Sequence, residues 1–259
     1  MDESSLVRTP FDAIVDAVPY AIVDHPRIAS IHDAFEGQRD DLLAYAAVVD
    51  ELNARVVLDV GCGTGTLAEL LARERRTVVA IDPSEAFLAV AKAKGAPSGV
   101  TWLHGDAANA PEVGADLAVL TANVVEVFLT DEDWAAALTG IRRALRPGGF
   151  LVSGIRHLDR RVWVDRAADI VPAALDVPGI GRVQDRLEVT AVNLPLVSFR
   201  DTYTFAADGA AVAWEYTLRF RERPEIESDL TDHGFRLQDF RDVPGHPGCE
   251  VIFIAERVD

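Results

Sequence analysis

The sequence predicts an α/β protein with a parallel sheet covered by helices on both faces, followed by a small antiparallel lobe. Three observations lead there. Apolar, β-rich runs alternate with helical patterns up to about Arg156, a glycine-rich turn follows the first of those runs, and beyond Arg156 the texture changes to paired strands of period two. With 259 residues, 49 % of them hydrophobic and 26 % charged, the chain is neither disordered nor collagen-like. A chain of this length buries roughly 70–75 % of its unfolded surface, so its core needs no staples. Its only cysteines, Cys62 and Cys249, supply neither a disulfide framework nor a zinc-ligand set, and no metal site is expected.

Each element follows from local pattern. Helical spacing of Ile28, Ile31, Phe35, Leu42, Leu43, Ala46 and Val49 predicts a helix over 28–52 with a possible break at Gly37. Val56–Val60 is the first strand. A helix from about Thr66 to Arg76 leads into the apolar run Thr77–Ile81, which suits a strand buried on both faces. Helix 84–94, strand Val100–Leu103 and strand Ala115–Leu120 come next, and Thr130 with Asp133 resembles a capping box opening helix 131–145. Pro147-Gly148-Gly149 turns into strand Phe150–Ile155. In the later segment Val197, Phe199, Asp201, Tyr203 and Phe205 share one face of a strand, and Val212, Trp214, Tyr216, Leu218 and Phe220 share one face of its partner, with Asp208-Gly209 in the turn. Arg223–His233 reads as a helix closed by Gly234, and strands near Phe235–Arg241 and Glu250–Ala255 complete the sheet edge. The division expected is a helical N-terminal cap over 1–53 and one domain over 54–259, with the lobe at about 180–222.

Charge narrows the partners. There are 42 acidic against 25 basic residues, a formal net charge of −17, and only Lys92 and Lys94 are lysines. Phosphate neutralisation needs a basic face, so nucleic acid is not an expected partner, and the charge reads as solubility. No apolar run reaches the roughly 18–20 residues of a membrane span. Met1-Asp2-Glu3-Ser4 is acidic where a signal peptide is basic, and a cytoplasmic location is expected.

The chemistry concentrates at strand ends. In Val57-Leu58-Asp59-Val60-Gly61-Cys62-Gly63-Thr64-Gly65 an apolar strand runs into three alternate glycines, with Asp59 two residues before the first. Glycines are needed where backbone turns sharply and lies against a ligand. Asp82 ends the next strand, where α/β nucleotide sites place a carboxylate on ribose hydroxyls, and Asp106 follows the third. Three acids at successive strand ends point into one crevice, a geometry for a positively charged nucleoside whose sugar and exocyclic amine donate hydrogen bonds.

On these residues the chain resembles the class I S-adenosylmethionine-dependent methyltransferases, closely over about 54–155. Thr121-Ala122-Asn123-Val124-Val125, Leu145-Arg146-Pro147-Gly148-Gly149 and Thr217-Leu218-Arg219-Phe220-Arg221 look like a branch of small-molecule methyltransferases from high-GC bacteria. The resemblance implies a doubly wound, Rossmann-like sheet of seven strands and S-adenosyl-L-methionine as cofactor, with S-adenosyl-L-homocysteine as product. It also implies roles: Asp59 and the loop Gly61, Cys62, Gly63, Thr64, Gly65 on the methionine moiety, Asp82 with adjoining Pro83 on the ribose, Asp106 with the backbone of Ala107 on the adenine edge. Thr121 and Asn123, within Thr121–Val124, would line the sulfonium and the methyl path, and the antiparallel lobe would cover the acceptor pocket.

The expected reaction is methyl transfer to an oxygen or nitrogen, with carbon second, of a small molecule. A non-methylating binder of the same nucleosides is one alternative. An NAD-dependent oxidoreductase is another, since Gly63, Gly65 and Ala68 satisfy a loose G-x-G-x-x-A, but Asp59 would there repel a pyrophosphate. A general base is optional in this chemistry. Two candidates stand out: His157, just past strand 150–155, and Asp201, which interrupts an apolar face and must be paired, hydrogen-bonded or turned to a cavity. A salt bridge to an arginine is the simpler reading of Asp201. Phe199, Tyr203, Trp214 and Tyr216 read first as the interior of the lobe, with an aromatic cage for a cation compatible alongside. Segment 20–40, with Tyr20, His25, His32 and Arg39, is expected to cap the cofactor, Arg39 meeting the methionine carboxylate if it is not merely exposed. Cys62 is read as a small residue and not as a nucleophile.

Overall fold

The computed structural model describes residues 23–73, 76–95, 98–156, 173–243 and 250–259. The helical elements are α1 (Pro26–Glu36), α2 (Asp41–Glu51), α3 (Thr66–Ala72), α4 (Glu85–Ala93), α5 (Asp131–Ala144) and α6 (Arg223–Asp232). The strands are β1 (Val56–Val60), β2 (Thr77–Asp82), β3 (Val100–His104), β4 (Ala115–Leu120), β5 (Leu145–Arg156), β6 (Ala174–Val177), β7 (Gly181–Asn193), β8 (Leu196–Phe205), β9 (Ala211–Arg219), β10 (Phe235–Asp242) and β11 (Glu250–Arg257).

Seven strands form the main sheet in the order β10-β11-β5-β4-β1-β2-β3, parallel except that β11 runs antiparallel to both its neighbours. This is the doubly wound, Rossmann-like architecture expected. One face buries the α5 side chains Trp134, Leu138 and Ile141, and the other buries Leu42 and Tyr45 of α2 with Leu67 and Leu71 of α3. The central strands are buried on both faces, which explains their unbroken apolar sequence. β1 pairs with β2 on one side and β4 on the other, so the order reverses there and opens a crevice at the carboxyl ends of the strands.

Local chemistry sets the helix ends. At α5 the Thr130 hydroxyl accepts from the Asp133 N–H, Asp131, Glu132 and Asp133 fill the first turn, and Arg142 and Arg143 fill the last, each matching the helix dipole. The expected helix 28–52 divides at Gly37, and α3 ends at Ala72, short of Arg76. Strand β5 begins at Leu145 and includes the Pro147-Gly148-Gly149 stretch.

The lobe is larger than expected. Four antiparallel strands, β6-β7-β8-β9, form it over 174–219, where the sequence reading has two within about 180–222. It packs on α1 and α4 through Ile28, Ile31, Phe87, Val183 and Phe205, and Arg27 lies 3.7 Å from the Phe205 ring centre while pairing with Asp208. Among the described residues, no helix is long and apolar enough to cross a membrane.

Candidate functional site

Two adjoining chambers lie at the carboxyl ends of β1, β2 and β4, sharing Gly61, Gly63, Val124, His32 and Trp214 as their common wall. The first, about 500 Å³, is mostly apolar, with Val60, Ile81 and Phe87 opposite Asp82, Pro83, Asp106 and Ala107. The second, about 520 Å³, holds Asp59, Cys62, Thr64, Thr121 and Asn123, and is roofed by Trp214, Tyr216 and Leu218 of β9. Residues as far apart in sequence as His32 and Leu218 are thus brought together, and the lobe covers the crevice.

The strand-end acids differ in their surroundings. Asp82 Oδ2 accepts from the Gly63 N–H and Oδ1 from the Ser84 N–H, both at 2.8 Å, tying the glycine loop to the start of α4. Burial raises its pKa, and these two N–H groups partly counter that. Asp59 is 1 % exposed; neither of its oxygens has a partner at ordinary hydrogen-bond geometry, and among the described residues the Ala68 N–H of α3 is the one donor near enough to work against its burial. Burial, with the Asp82 charge second, pushes it up to about 7. A buried carboxylate served by one such donor is costly unless a cation or further donor arrives. Asp106 is exposed, and its Oδ1 accepts from the Asn109 backbone and side chain, both at 2.9 Å, which closes the short 3-10 turn bearing Ala107.

The loop and the segment after β4 complete the floor. Gly61, Gly63 and Gly65 all have positive φ, and Cys62 is buried, its thiol pushed up by that burial, so it is no nucleophile. The Thr64 hydroxyl donates to Asp33 of α1, and Lys94 both pairs with Asp33 and donates to the Thr64 carbonyl at 2.9 Å. Although burial opposes it, contacts with the His32 ring, Lys94 and Thr64 hold the Asp33 carboxyl well below the usual range. Past β4, Ala122 adopts φ +54°, a left-handed conformation unusual for a residue with a Cβ, between chamber-lining Thr121 and Asn123. Arg219 and Arg221, both in a motif singled out by sequence, hold this segment from the lobe side. The Arg221 guanidinium, 3 % exposed as a residue, donates to the carbonyls of Val125 and Thr130, and Arg219 to that of Leu129.

Other candidates are placed differently. Arg39 lines the second chamber, but its guanidinium is engaged by both Asp41 oxygens, at 2.8 and 2.7 Å, and by Glu36 at 3.0 Å. Asp201 is 8 % exposed and does not line either chamber; its Oδ2 accepts from the Tyr216 hydroxyl at 3.3 Å. Tyr216 in turn stacks on Phe199 and Trp214, with ring centres 5.2 and 4.3 Å away. His157, Tyr20 and Cys249 lie outside the described residues. Asp33, Asp24, which accepts from Ser84 and the Ala86 N–H, and Lys94 went unnoticed in the sequence, whose only hint was that Lys94 is one of two lysines.

A sheet with a strand-order reversal, a glycine loop and acids at consecutive strand ends defines a nucleoside-binding α/β protein. Residues 57–149 match the methyltransferase domain family model. That segment carries the glycine loop and the strand-end acids Asp59, Asp82 and Asp106. A malonyl-[acyl-carrier protein] O-methyltransferase of Xylella fastidiosa is 29 % identical over 60 % of this chain and 53 % of its own length; the chain spans about half the length of that curated relative. Among solved structures, the sugar N-methyltransferase of a Streptoalloteichus species aligns with a TM-score of 0.75 at 18 % identity, covering 92 % of this chain and 95 % of that one. An S-adenosylmethionine-bound amino pentose methyltransferase of Micromonospora echinaspora aligns at 0.64 and 23 %, covering 86 % and 93 %. These two likenesses bear on the fold.

Proposed function

We propose that the chain is an S-adenosylmethionine-dependent methyltransferase acting on an oxygen or nitrogen of a small molecule. The observation that carries this reading is Asp59, a buried carboxylate with no cationic partner among the described residues, at the foot of the glycine loop and on the wall of the second chamber. It suits the methionine ammonium. Each Asp82 oxygen keeps a lone pair for a ribose hydroxyl, and the apolar first chamber suits an adenine whose edge meets Asp106 and the Ala107 N–H. When bound, the cofactor supplies a methyl group on a positively charged sulfur.

The chain's own contribution is alignment and exclusion of water. Thr121, Ala122 and Asn123 line the second chamber next to Val124, which borders both, and the roof of Trp214, Tyr216 and Leu218 closes the acceptor side. Arg39 is engaged by Asp41 and Glu36, and the N–H groups of Gly61, Cys62, Gly63 and Gly65 already donate to Ile81, Asp82 and Cys62, so the methionine carboxylate is assigned to none of these. A dinucleotide suits the site poorly, because Asp59, with no cationic partner among the described residues, would face its pyrophosphate. The named relatives are O- and N-methyltransferases, which supports the reaction class.

Calorimetric titration with S-adenosylmethionine, S-adenosylhomocysteine and NAD tests the reading. Micromolar binding of the first two and none of NAD is expected, with Asp82→Ala weakening binding by about 1–3 kcal/mol through lost ribose hydrogen bonds. Silence from both sulfur nucleosides would sink the proposal. Release of S-adenosylhomocysteine with an acceptor then separates an enzyme from a non-methylating binder.

A further inference from the structure

We infer that Asp133, in the first turn of α5, is a second acceptor for the exocyclic amine of the cofactor's adenine, so that the first chamber takes a 6-aminopurine and rejects a 6-oxopurine. The inference deepens the methyltransferase reading and rests on it, because that reading is what seats an adenine in this chamber.

The packing of α5 places the residue. Gly140 lies so close to the 3-10 turn Ala107–Asn109 that a Cβ there would overlap the carbonyl oxygens of Ala107 and Ala108. One turn further on, Arg143 donates to the carbonyls of Ala108 and Ala110. Positions three, four and seven apart share one face of a helix, so the stripe that holds Arg143 and Gly140 against this turn also carries Ala136 and Asp133. Both line the first chamber, together with Ala107 and Ala108.

Local structure does not use the carboxylate. Asp133 stands three residues after Thr130, where the acid of a capping box would reach back to the Thr130 N–H. Only the other half of the box forms, the Thr130 hydroxyl accepting from the Asp133 N–H at 3.1 Å. Among the described residues the Asp133 carboxylate makes no hydrogen bond and no ion pair, whereas Asp131 in the same turn pairs with Arg219.

Asp106 leaves room for such a partner. Its Oδ1 is taken by the Asn109 backbone and side chain, which leaves Oδ2 for a ligand. An amine has two N–H donors, and one oxygen of Asp106 serves one of them. Asp133, on the wall of the same chamber, supplies an acceptor for the other. A carbonyl in place of the amine would bring its lone pairs up to two carboxylates, and no lysine or arginine is among the described residues lining this chamber to receive it.

The test is a calorimetric comparison of S-adenosylhomocysteine with S-inosylhomocysteine, which differs at the amine and the adjacent N1 proton. The wild type is expected to bind the adenosyl compound at least about a hundredfold more tightly. Asp133→Asn keeps the volume and offers an NH2 to a 6-oxo group, so the ratio of the two affinities is expected to fall about tenfold, with Asp106 and the Ala107 N–H maintaining the remainder. Glu132→Gln removes the same charge from the same turn at an exposed position and is expected to leave the ratio unchanged. Damage to the helix weakens both compounds alike and moves no ratio. Should circular dichroism show Asp133→Asn unfolded, Asp133→Ser carries the same test, with a fall in the ratio expected. A wild-type preference below about tenfold, a ratio unchanged when Asp133 is replaced, or an equal fall in Glu132→Gln overturns the inference. Failure of S-adenosylhomocysteine to bind the wild type strikes the underlying methyltransferase reading instead.

Discussion

Gly63 and Gly65 share a left-handed backbone, at φ +55° and +83°, yet a side chain would fail at each for a different reason. At Gly65 a Cβ would overlap the Trp102 ring and come within 3.2 Å of Ala91 Cβ, so the injury is to packing between the loop and α4. At Gly63 the nearest atom, Phe87 Cδ1, is 3.8 Å away, and the Cβ would occupy space bordering both chambers. Gly65→Ala is therefore expected to cost about 2–4 kcal/mol of stability, overpacking added to left-handed strain. Gly63→Ala should cost about 1–2 kcal/mol of stability and weaken cofactor binding beyond detection. Urea unfolding and calorimetry on the two variants check this, and equal stability losses would refute the distinction. Asp59, Asp82 and Asp106 were legible in sequence because each is fixed by its place near the end of an apolar strand. Arg39 was less so: its pairing with Asp41, two residues on, depends on how the chain turns between α1 and α2. Asp33 and Lys94 meet Thr64 from segments about thirty residues either side, with no local pattern to announce it.

Strands β8 and β9 were readable because apolar and polar residues alternate without a break on their inner faces, apart from Asp201. The neighbouring β7 was not, since its inward series Val183, Asp185, Leu187, Val189 places a charge early, which breaks the alternation with the polar outward residues Gln184, Arg186 and Glu188. An inward acid hides a strand from a period-two reading even when the fold has a use for it. The link from this lobe to the sheet falls largely on Arg221. Its two side-chain bonds, at 3.3 and 3.1 Å, satisfy carbonyls at both ends of segment 125–130, and its guanidinium lies 5.6 Å from the Trp134 ring centre. A lysine ammonium cannot span both carbonyls as the planar fork does. Arg221→Lys is thus expected to lower stability by about 1–3 kcal/mol, the cost of a buried carbonyl left without a donor. Hydrogen exchange should show the loss concentrated in segment 125–130; uniform loosening of the whole chain would contradict the role assigned to Arg221.

At the scale of the whole molecule, the buried acids make stability depend on pH in a direction opposite to that of most paired carboxylates. Asp59 and Glu126 are each pushed up to about 7 by burial, and Asp82 is raised as well. Glu126 is 2 % exposed; one of its oxygens accepts from the Arg156 N–H and the other has no partner. In the unfolded chain such groups titrate near ~4. Between about pH 4 and 7 the folded state therefore binds more protons than the unfolded one, and stability falls as pH rises through that window, on the order of 1 kcal/mol per pH unit for each group. Asp33, whose pKa is lowered, contributes stability that is present above ~4 and lost only below it, so it does not offset the trend in this window. The net charge of −17 acts in the same sense through general repulsion, but salt screens that part and leaves buried carboxylates largely untouched. A cationic ligand beside Asp59 favours its ionised form, lowers its pKa and releases a proton on binding. Thermal unfolding at high salt should accordingly give a ligand-free protein less stable at pH 7.5 than at pH 5.5. The stabilisation conferred by S-adenosylhomocysteine should be larger at pH 7.5, and Asp59→Asn should flatten both trends. A ligand-free stability that rises over this interval would show that Asp59 and Glu126 are ionised in the folded state well below pH 7, and the electrostatic account of the cofactor site would fall with it.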